Sequence, residues 1–144
     1  MYEYTKEYEI ELIDKESAYH DATVTVWYMA WREGGYSKTR CILRIEHAGG
    51  TVRAEFSDVY HAFQNARAEL EQSGLLPLCW GACADVQVSG MALSMGDGTK
   101  AYRMSTRSDE ASSEVVSIFD TGPEVHPEIV AAQKEYKARM YGIE

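Results

Sequence analysis

Apolar and polar positions alternate over residues 4–13. Tyr4, Tyr8, Ile10 and Leu12 fall on one side, and Thr5, Glu7, Glu9 and Glu11 on the other. A period of two marks a strand with one buried face. Residues 22–31 are β-branched and aromatic, with both faces fairly apolar. They predict a second strand, covered on both sides or bearing a contact surface on its second face. Gly34-Gly35 supplies a hairpin turn. Residues 38–46 predict a third strand, with Cys41, Leu43 and Ile45 inward and Arg40, Arg44 and Glu46 outward. Gly49-Gly50 makes another turn before a short fourth strand at 51–56.

The period then lengthens. Ser57 or Asp58 can cap a helix that runs to about residue 73. Val59, Phe63, Ala66 and Leu70 form its apolar stripe, and Gly74 stops it. Residues 75–84 are an apolar run containing Pro77 and read as a buried or edge strand; 85–91 continue extended. Residues 95–98 are a turn. Two more strands follow at 100–106 and 114–120, joined by a polar loop around 108–113. Gly122-Pro123 ends the sheet. Pro127 stands near the start of a final helix that offers Ile129, Val130, Ala132, Gln133, Tyr136 and Met140 for packing or contact. No repeat or linker divides the chain. The order predicts one α+β domain over residues 1–144: a mostly antiparallel sheet of about six to seven strands with two main helices packed on it.

Charge narrows the functional classes. The 144 residues carry 14 Lys and Arg against 23 Asp and Glu, a net charge of −9. Nucleic-acid binding needs a basic footprint, and no run of Lys or Arg supplies one. Docking on an anionic membrane is disfavoured for the same reason. A cationic protein partner is favoured, because opposite fields speed encounter. Simple solubility also accounts for an acidic chain. The N-terminus lacks a charged region followed by an apolar one, and no apolar run approaches the length of a membrane span. The expected location is cytoplasmic. Three cysteines, Cys41, Cys79 and Cys83, are an odd number and predict buried thiols rather than a disulfide framework.

Catalytic and metal signatures are sparse. Cys79 and Cys83 stand four apart, and His20, His47, His61 and His126 form no HxxxH unit, so neither a metal nor a cofactor is expected. Gly96-Asp97-Gly98 is half of a phosphate loop, which a hairpin turn explains. A deep pocket holding His61 or Cys83 beside a carboxylate would favour an enzyme. Glu7, Glu9 and Glu11 stand about 6.7 Å apart on one strand face. They form either a solvated face or a contact suited to Lys and Arg in a partner's nucleic-acid cleft. Asp109 and Glu110, in the polar loop, are a second acidic candidate. Trp27, Tyr28, Trp31 and Tyr36 cluster in the second strand and its turn, and such residues serve cores and interfaces alike. Trp31 and Tyr36, nearest the turn, are the expected exposed anchors.

The second half of the chain carries a resemblance. Its segments are Ala68-Glu-Leu-Glu-Gln-Ser-Gly74, Leu78-Cys-Trp-Gly-Ala-Cys-Ala-Asp-Val-Gln-Val-Ser-Gly-Met91, Met95-Gly-Asp-Gly-Thr-Lys-Ala-Tyr102, Val116-Ser-Ile-Phe-Asp120 and Val130-Ala-Ala-Gln-Lys-Glu-Tyr136. It is similar to small immunity proteins of bacterial polymorphic-toxin systems, those of contact-dependent inhibition, Rhs and type VI effectors. The resemblance implies a cytoplasmic inhibitor, not an enzyme, that binds a cognate toxin protein one-to-one, often at its active site, without a cofactor. Many such toxins are basic nucleases, which suits an acidic inhibitor. It assigns no contact residues. Two other readings stand beside it. One is a small-molecule-binding domain or enzyme with a site assembled from dispersed residues. The other is a homo-oligomer that uses the apolar second strand as its self-contact.

Overall fold

The computed structural model describes residues 1–90, 93, 96–104 and 113–140. Among them are eight strands and two helices. The order is β1 (Tyr2–Ile13), β2 (Tyr19–Glu33), β3 (Tyr36–His47), β4 (Gly50–Phe56), α1 (Val59–Gln72), β5 (Leu76–Pro77), a 3-10 turn (Trp80–Ala82), β6 (Val86–Gln87), β7 (Lys100–Met104), β8 (Ser113–Ser117) and α2 (Val130–Met140). The strands form two antiparallel sheets, five-stranded in the order β4-β3-β2-β1-β5 and three-stranded in the order β6-β7-β8. The α+β class with mostly antiparallel pairing and two helices is as the sequence predicts. The division into two sheets was not predicted, because local alternation does not specify which strands pair.

The meander β1–β4 is regular. Pairing of β1 with β2 runs unbroken from Tyr2↔Ala30 to Ile13↔Tyr19, and that of β2 with β3 from Ala22↔His47 to Glu33↔Tyr36. The tight β2–β3 turn needs left-handed backbone at both central positions, and Gly34 and Gly35 adopt φ of 58° and 84°. Leu12, Val24, Val26, Leu43 and Ile45 point to one face and are fully buried. Val59, Phe63, Ala66 and Leu70 of α1 are buried with them in one hydrophobic cluster. Asp58 caps this helix, accepting the His61 N–H at 2.8 Å. At the other end the Gly74 N–H donates to the Glu71 carbonyl and the Leu75 N–H to that of Leu70. With Gly74 at φ 73° this is a glycine-terminated helix end of the Schellman kind.

After α1 the chain departs from the strand expected over 75–84. Only Leu76–Pro77 pairs, with Leu12 and Ile13 of β1. The Trp80 and Gly81 amides then donate to the carbonyls of Asp120 and Ile118, and the chain turns through Trp80–Ala82. A Cβ on Gly81 would lie 2.9 Å from the Ile118 side chain, so glycine permits this close crossing. The extended stretch expected over 85–91 is likewise short: Val86–Gln87 is strand, and Met91 lies outside the described residues.

A polar knot joins these pieces. Arg67 of α1 is 1% exposed, yet no carboxylate among the described residues lies within ion-pair distance of it. Its Nη1 donates to the Gly81 carbonyl at 2.9 Å and to Gln133 Oε1 at 2.7 Å, and its Nη2 to the Glu128 carbonyl at 3.0 Å. Gln133 of α2, wholly buried, donates in turn to the carbonyls of Cys83 at 2.8 Å and Val86 at 3.1 Å. Burial pushes the Arg67 guanidinium below its ordinary pKa. Replacing Arg67 by Lys keeps the charge but cannot reproduce the fork of donors. We expect Arg67→Lys to lose about 2–4 kcal/mol of stability, the scale for stranding buried polar groups. Urea unfolding at pH 7 would measure it; an unchanged midpoint would show that the knot does not hold the two halves together.

Candidate functional site

Helix α1 covers one face of the five-stranded sheet, and among the described residues no helix or strand covers the other. On that outer face, β1 places Glu3, Thr5, Glu7, Glu9 and Glu11, all exposed. Next to them, β2 places Thr23, Thr25, Trp27, Met29 and Trp31, and β3 then places Tyr36, Lys38, Arg40, Ile42 and Arg44. The pairings lay out cross-strand rows: Thr5, Trp27, Ile42 and Glu55 in one, Glu7, Thr25, Arg44 and Arg53 in the next.

The charges on this face are unevenly matched. On β3 and β4, Arg40 meets Glu55 at 2.5 Å, Arg53 meets the same carboxylate at 3.5 Å, and Arg44 meets Glu46 at 3.1 Å. On β1, none of the glutamates has a cation within ion-pair distance among the described residues. Glu3 accepts the Trp27 Nε1–H at 2.5 Å, and Glu9 accepts the Thr23 hydroxyl at 3.1 Å. The face thus grades from an acidic column without cations, through an aromatic stripe, to a side where Lys38, Arg40, Arg44 and Arg53 outnumber Glu46 and Glu55. A surface of this kind attracts cations at one edge and offers flat apolar area beside it.

Five of the seven residues singled out from the sequence come together here. Glu7, Glu9, Glu11, Trp31 and Tyr36 share the face; Trp31 is half-buried and Tyr36 is 72% exposed. Asp109 and Glu110 lie outside the described residues. The sequence reading omits Glu3 and leaves Trp27 open between core and contact; Trp27 is exposed and hydrogen-bonded to Glu3. Its parity was a usable signal, since Trp27 alternates with Val26 and Tyr28, both buried. Tyr28, grouped with the tryptophans by proximity in sequence, turns inward and stacks on Tyr4 with ring centroids 5.6 Å apart.

That inward face opens at one end into a cleft of about 840 Å³, lined in part by Tyr2, Tyr28, Thr39 and Asp97. The Tyr4 hydroxyl donates to Asp97 Oδ2 at 2.5 Å, and Thr99 donates to Oδ1 through its N–H at 2.9 Å and its hydroxyl at 2.6 Å. Burial works to raise the Asp97 pKa, but these hydrogen bonds outweigh it and hold the carboxyl below its ordinary value. Burial and the bond to Asp97 push the Tyr4 phenol well up.

His61 does stand beside a carboxylate, with its Nδ1 2.9 Å from Asp58 Oδ2. The hollow it lines is about 270 Å³ and presents Gln64, Gln87, Gln133, Lys134 and Lys137, with no Ser, Thr or Cys among its described lining residues. The cysteines are buried and unpaired, and desolvation raises the thiols of Cys41 and Cys79 to about 12. A thiol so shifted is a poor nucleophile at neutral pH. Among the described residues, no three His, Cys, Asp or Glu side chains gather as a metal set, and no helix is long and apolar enough to cross a membrane.

No protein-family model matches this chain, and no curated protein matches it.

A depressed carboxyl pKa contributes stability above its unfolded value, which is lost as pH falls through the folded one. For Asp97 that window lies below about pH 4. We expect Asp97→Asn to be less stable than the parent at pH 7, and the gap to close as the pH drops below 4. Urea midpoints of both proteins across that range would show it. A gap independent of pH would mean that the Asp97 charge takes no part.

Proposed function

We propose that this chain is a stoichiometric inhibitor, an immunity protein that binds a cation-rich toxin domain one-to-one and covers its working surface. The observation that carries the reading is the column of uncompensated glutamates beside exposed aromatics on an open sheet face. Carboxylates that meet no cation among the described residues keep their field for a partner's Lys and Arg. A standard contact buries roughly 800 Å² on each side, about a tenth of this chain's 8563 Å². The outer face of four long strands is broad enough to supply it. Trp27 and Trp31 would act as anchors, and the glutamates as steering charges. A nuclease suits the acidic column best, because its phosphate-binding cleft is lined by cations.

One observation favours a second reading. The cleft by Asp97 is bordered by tyrosine rings, a setting in which a small organic cation could sit. That ligand-binding alternative needs no protein partner.

The deciding test is co-expression of the tagged chain with the product of the adjacent upstream reading frame, followed by calorimetric titration. We expect a tight one-to-one complex and protection of cells from the neighbour. Changing Glu7, Glu9 and Glu11 together to Lys should slow association at least tenfold at low salt and flatten its salt dependence. Trp27→Ala should cost about 2 kcal/mol of affinity, roughly 30-fold in Kd. An unchanged association rate in the triple variant would remove the acidic column from the contact. No complex and no protection would remove the inhibitor reading itself.

A further inference from the structure

The unpaired side of β1 has the geometry of an acceptor for another strand. β5 pairs only with Leu12 and Ile13, and the Leu78 N–H donates to the Glu11 carbonyl at 2.8 Å. Over residues 2–10 the side of β1 away from β2 meets no strand among the described residues. Successive residues of a strand turn their amide groups to opposite sides. The pairing with β2 is continuous over the whole strand, so this alternation keeps step. Glu11 turns its carbonyl away from β2; Glu9, Glu7, Thr5 and Glu3 therefore do the same. Four residues in phase present both N–H and C=O to the open side.

Sheet proteins ordinarily blunt such an edge with charged side chains, a proline, a bulge or a covering loop, and here only the charges of Lys6 and the glutamates serve. Residues 2–10 contain no proline, and their register contains no bulge. The same four residues carry their side chains on the outer face, where three are glutamates without a cation. The geometry points to β1 as the docking edge for an extended basic segment of the partner, which adds antiparallel as a further strand. This rests on the inhibitor reading above and specifies how the contact is made. In an added strand, residues opposite Glu3, Glu7 and Glu9 would stand about 5.5 Å away on the same face. Lys or Arg at alternate positions would neutralise the column. The intervening residues would fall on the other face, beside Tyr4, Lys6 and Tyr8, where apolar side chains fit the rings.

A second copy of this chain is the wrong occupant. Antiparallel self-pairing centred on Thr5, Lys6, Glu7 or Tyr8 sets Glu directly opposite Glu in every case, and like charges so placed are destabilising. The acidic column excludes the chain's own edge while favouring a basic one, which is how an exposed strand stays monomeric and selective.

The test uses the whole protein and a synthetic decapeptide of alternating Lys and Val, with an equal-composition control whose lysines are grouped. Amide exchange is followed by NMR. On adding the alternating peptide, exchange at Glu3, Thr5, Glu7 and Glu9 should slow at least tenfold, while Tyr4, Lys6 and Tyr8, which bond to β2, stay unchanged. The grouped peptide should give less than a third of that effect. Glu7→Pro deletes an N–H that faces the open side and none from the β1–β2 ladder, so it should fold and abolish the protection. Glu7→Gln should weaken binding but keep the alternating pattern. No binding at low salt, binding without the alternating pattern, or protection that survives Glu7→Pro would overturn strand addition. So would a dimer of the protein alone with those four amides protected. If Glu7→Pro fails to fold, the alternating pattern in the unsubstituted protein still decides. A complex with the co-expressed neighbour that lacks this pattern would overturn strand addition alone and leave the inhibitor reading standing.

Discussion

A buried arginine without a carboxylate sets the terms for this fold. Arg67 reaches from α1 to carbonyls of the 3-10 turn and of the segment before α2, and it shares Gln133 with them. The guanidinium supplies donors in a planar fork, and the loop backbone supplies acceptors that have no strand or helix to serve. Each side would be costly to bury alone. Together they fix where residues 79–88 and α2 sit relative to the first sheet. The arrangement also explains why segments so irregular can be so buried: Cys79, Ala82 and Val86 are fully inaccessible, yet only Val86 belongs to a strand.

From that constraint follows a division of the molecule. Among the described residues, β5 extends the five-stranded sheet and the other elements after β4 are gathered on one side of it, tied to α1 and through it to the core. None of them covers the opposite face. An antiparallel sheet tolerates this, because its strands can be apolar on one side and polar on the other. Here the uncovered face is not simply polar. Trp27, Met29, Trp31 and Ile42 occupy its centre, and a sheet face meant only for water has little use for two tryptophans.

The legibility of the sequence follows the range of the forces. The four long strands and α1 were readable because their signals are local: alternation in β1 and β3, glycine pairs at the turns, Asp58 and Gly74 at the helix ends. The apolar run at 75–84 reads as a buried or edge strand but pairs at the sheet edge only over Leu76–Pro77, because the geometry beyond is dictated by Asp120 and Ile118, some forty residues further on. Gln133 is offered for packing or contact by its place in the last helix, but its burial is not legible, since its partners come from α1 and from residues 83–87, more than forty positions earlier. Arg67 did give one. It stands four residues after Phe63 and three before Leu70, on the apolar side of the helix, where a charge has to be explained. At the candidate site, parity separates Trp27 and Trp31 from Tyr28; the pairing of arginines on β3 and β4 with Glu46 and Glu55 depends on register across strands, which no single strand reveals.

That pairing is what gives the acidic column its meaning. Three of the face's arginines are bound to Glu46 or Glu55, so they do not reach across β2 to the glutamates of β1. Had the opposite charges been interleaved, the face would be neutral and internally satisfied, and Glu7 and Glu11 would need no further account. Instead, like charges stand at alternate positions along one strand, where their mutual repulsion opposes folding. The cost is small while they remain in water, because solvent and salt screen them. It becomes an advantage only when cations approach from outside, since each carboxylate then gains a cation without first giving one up. A protein that pairs its arginines elsewhere on the same face therefore preserves, at little expense in stability, an edge whose charge is available to something else.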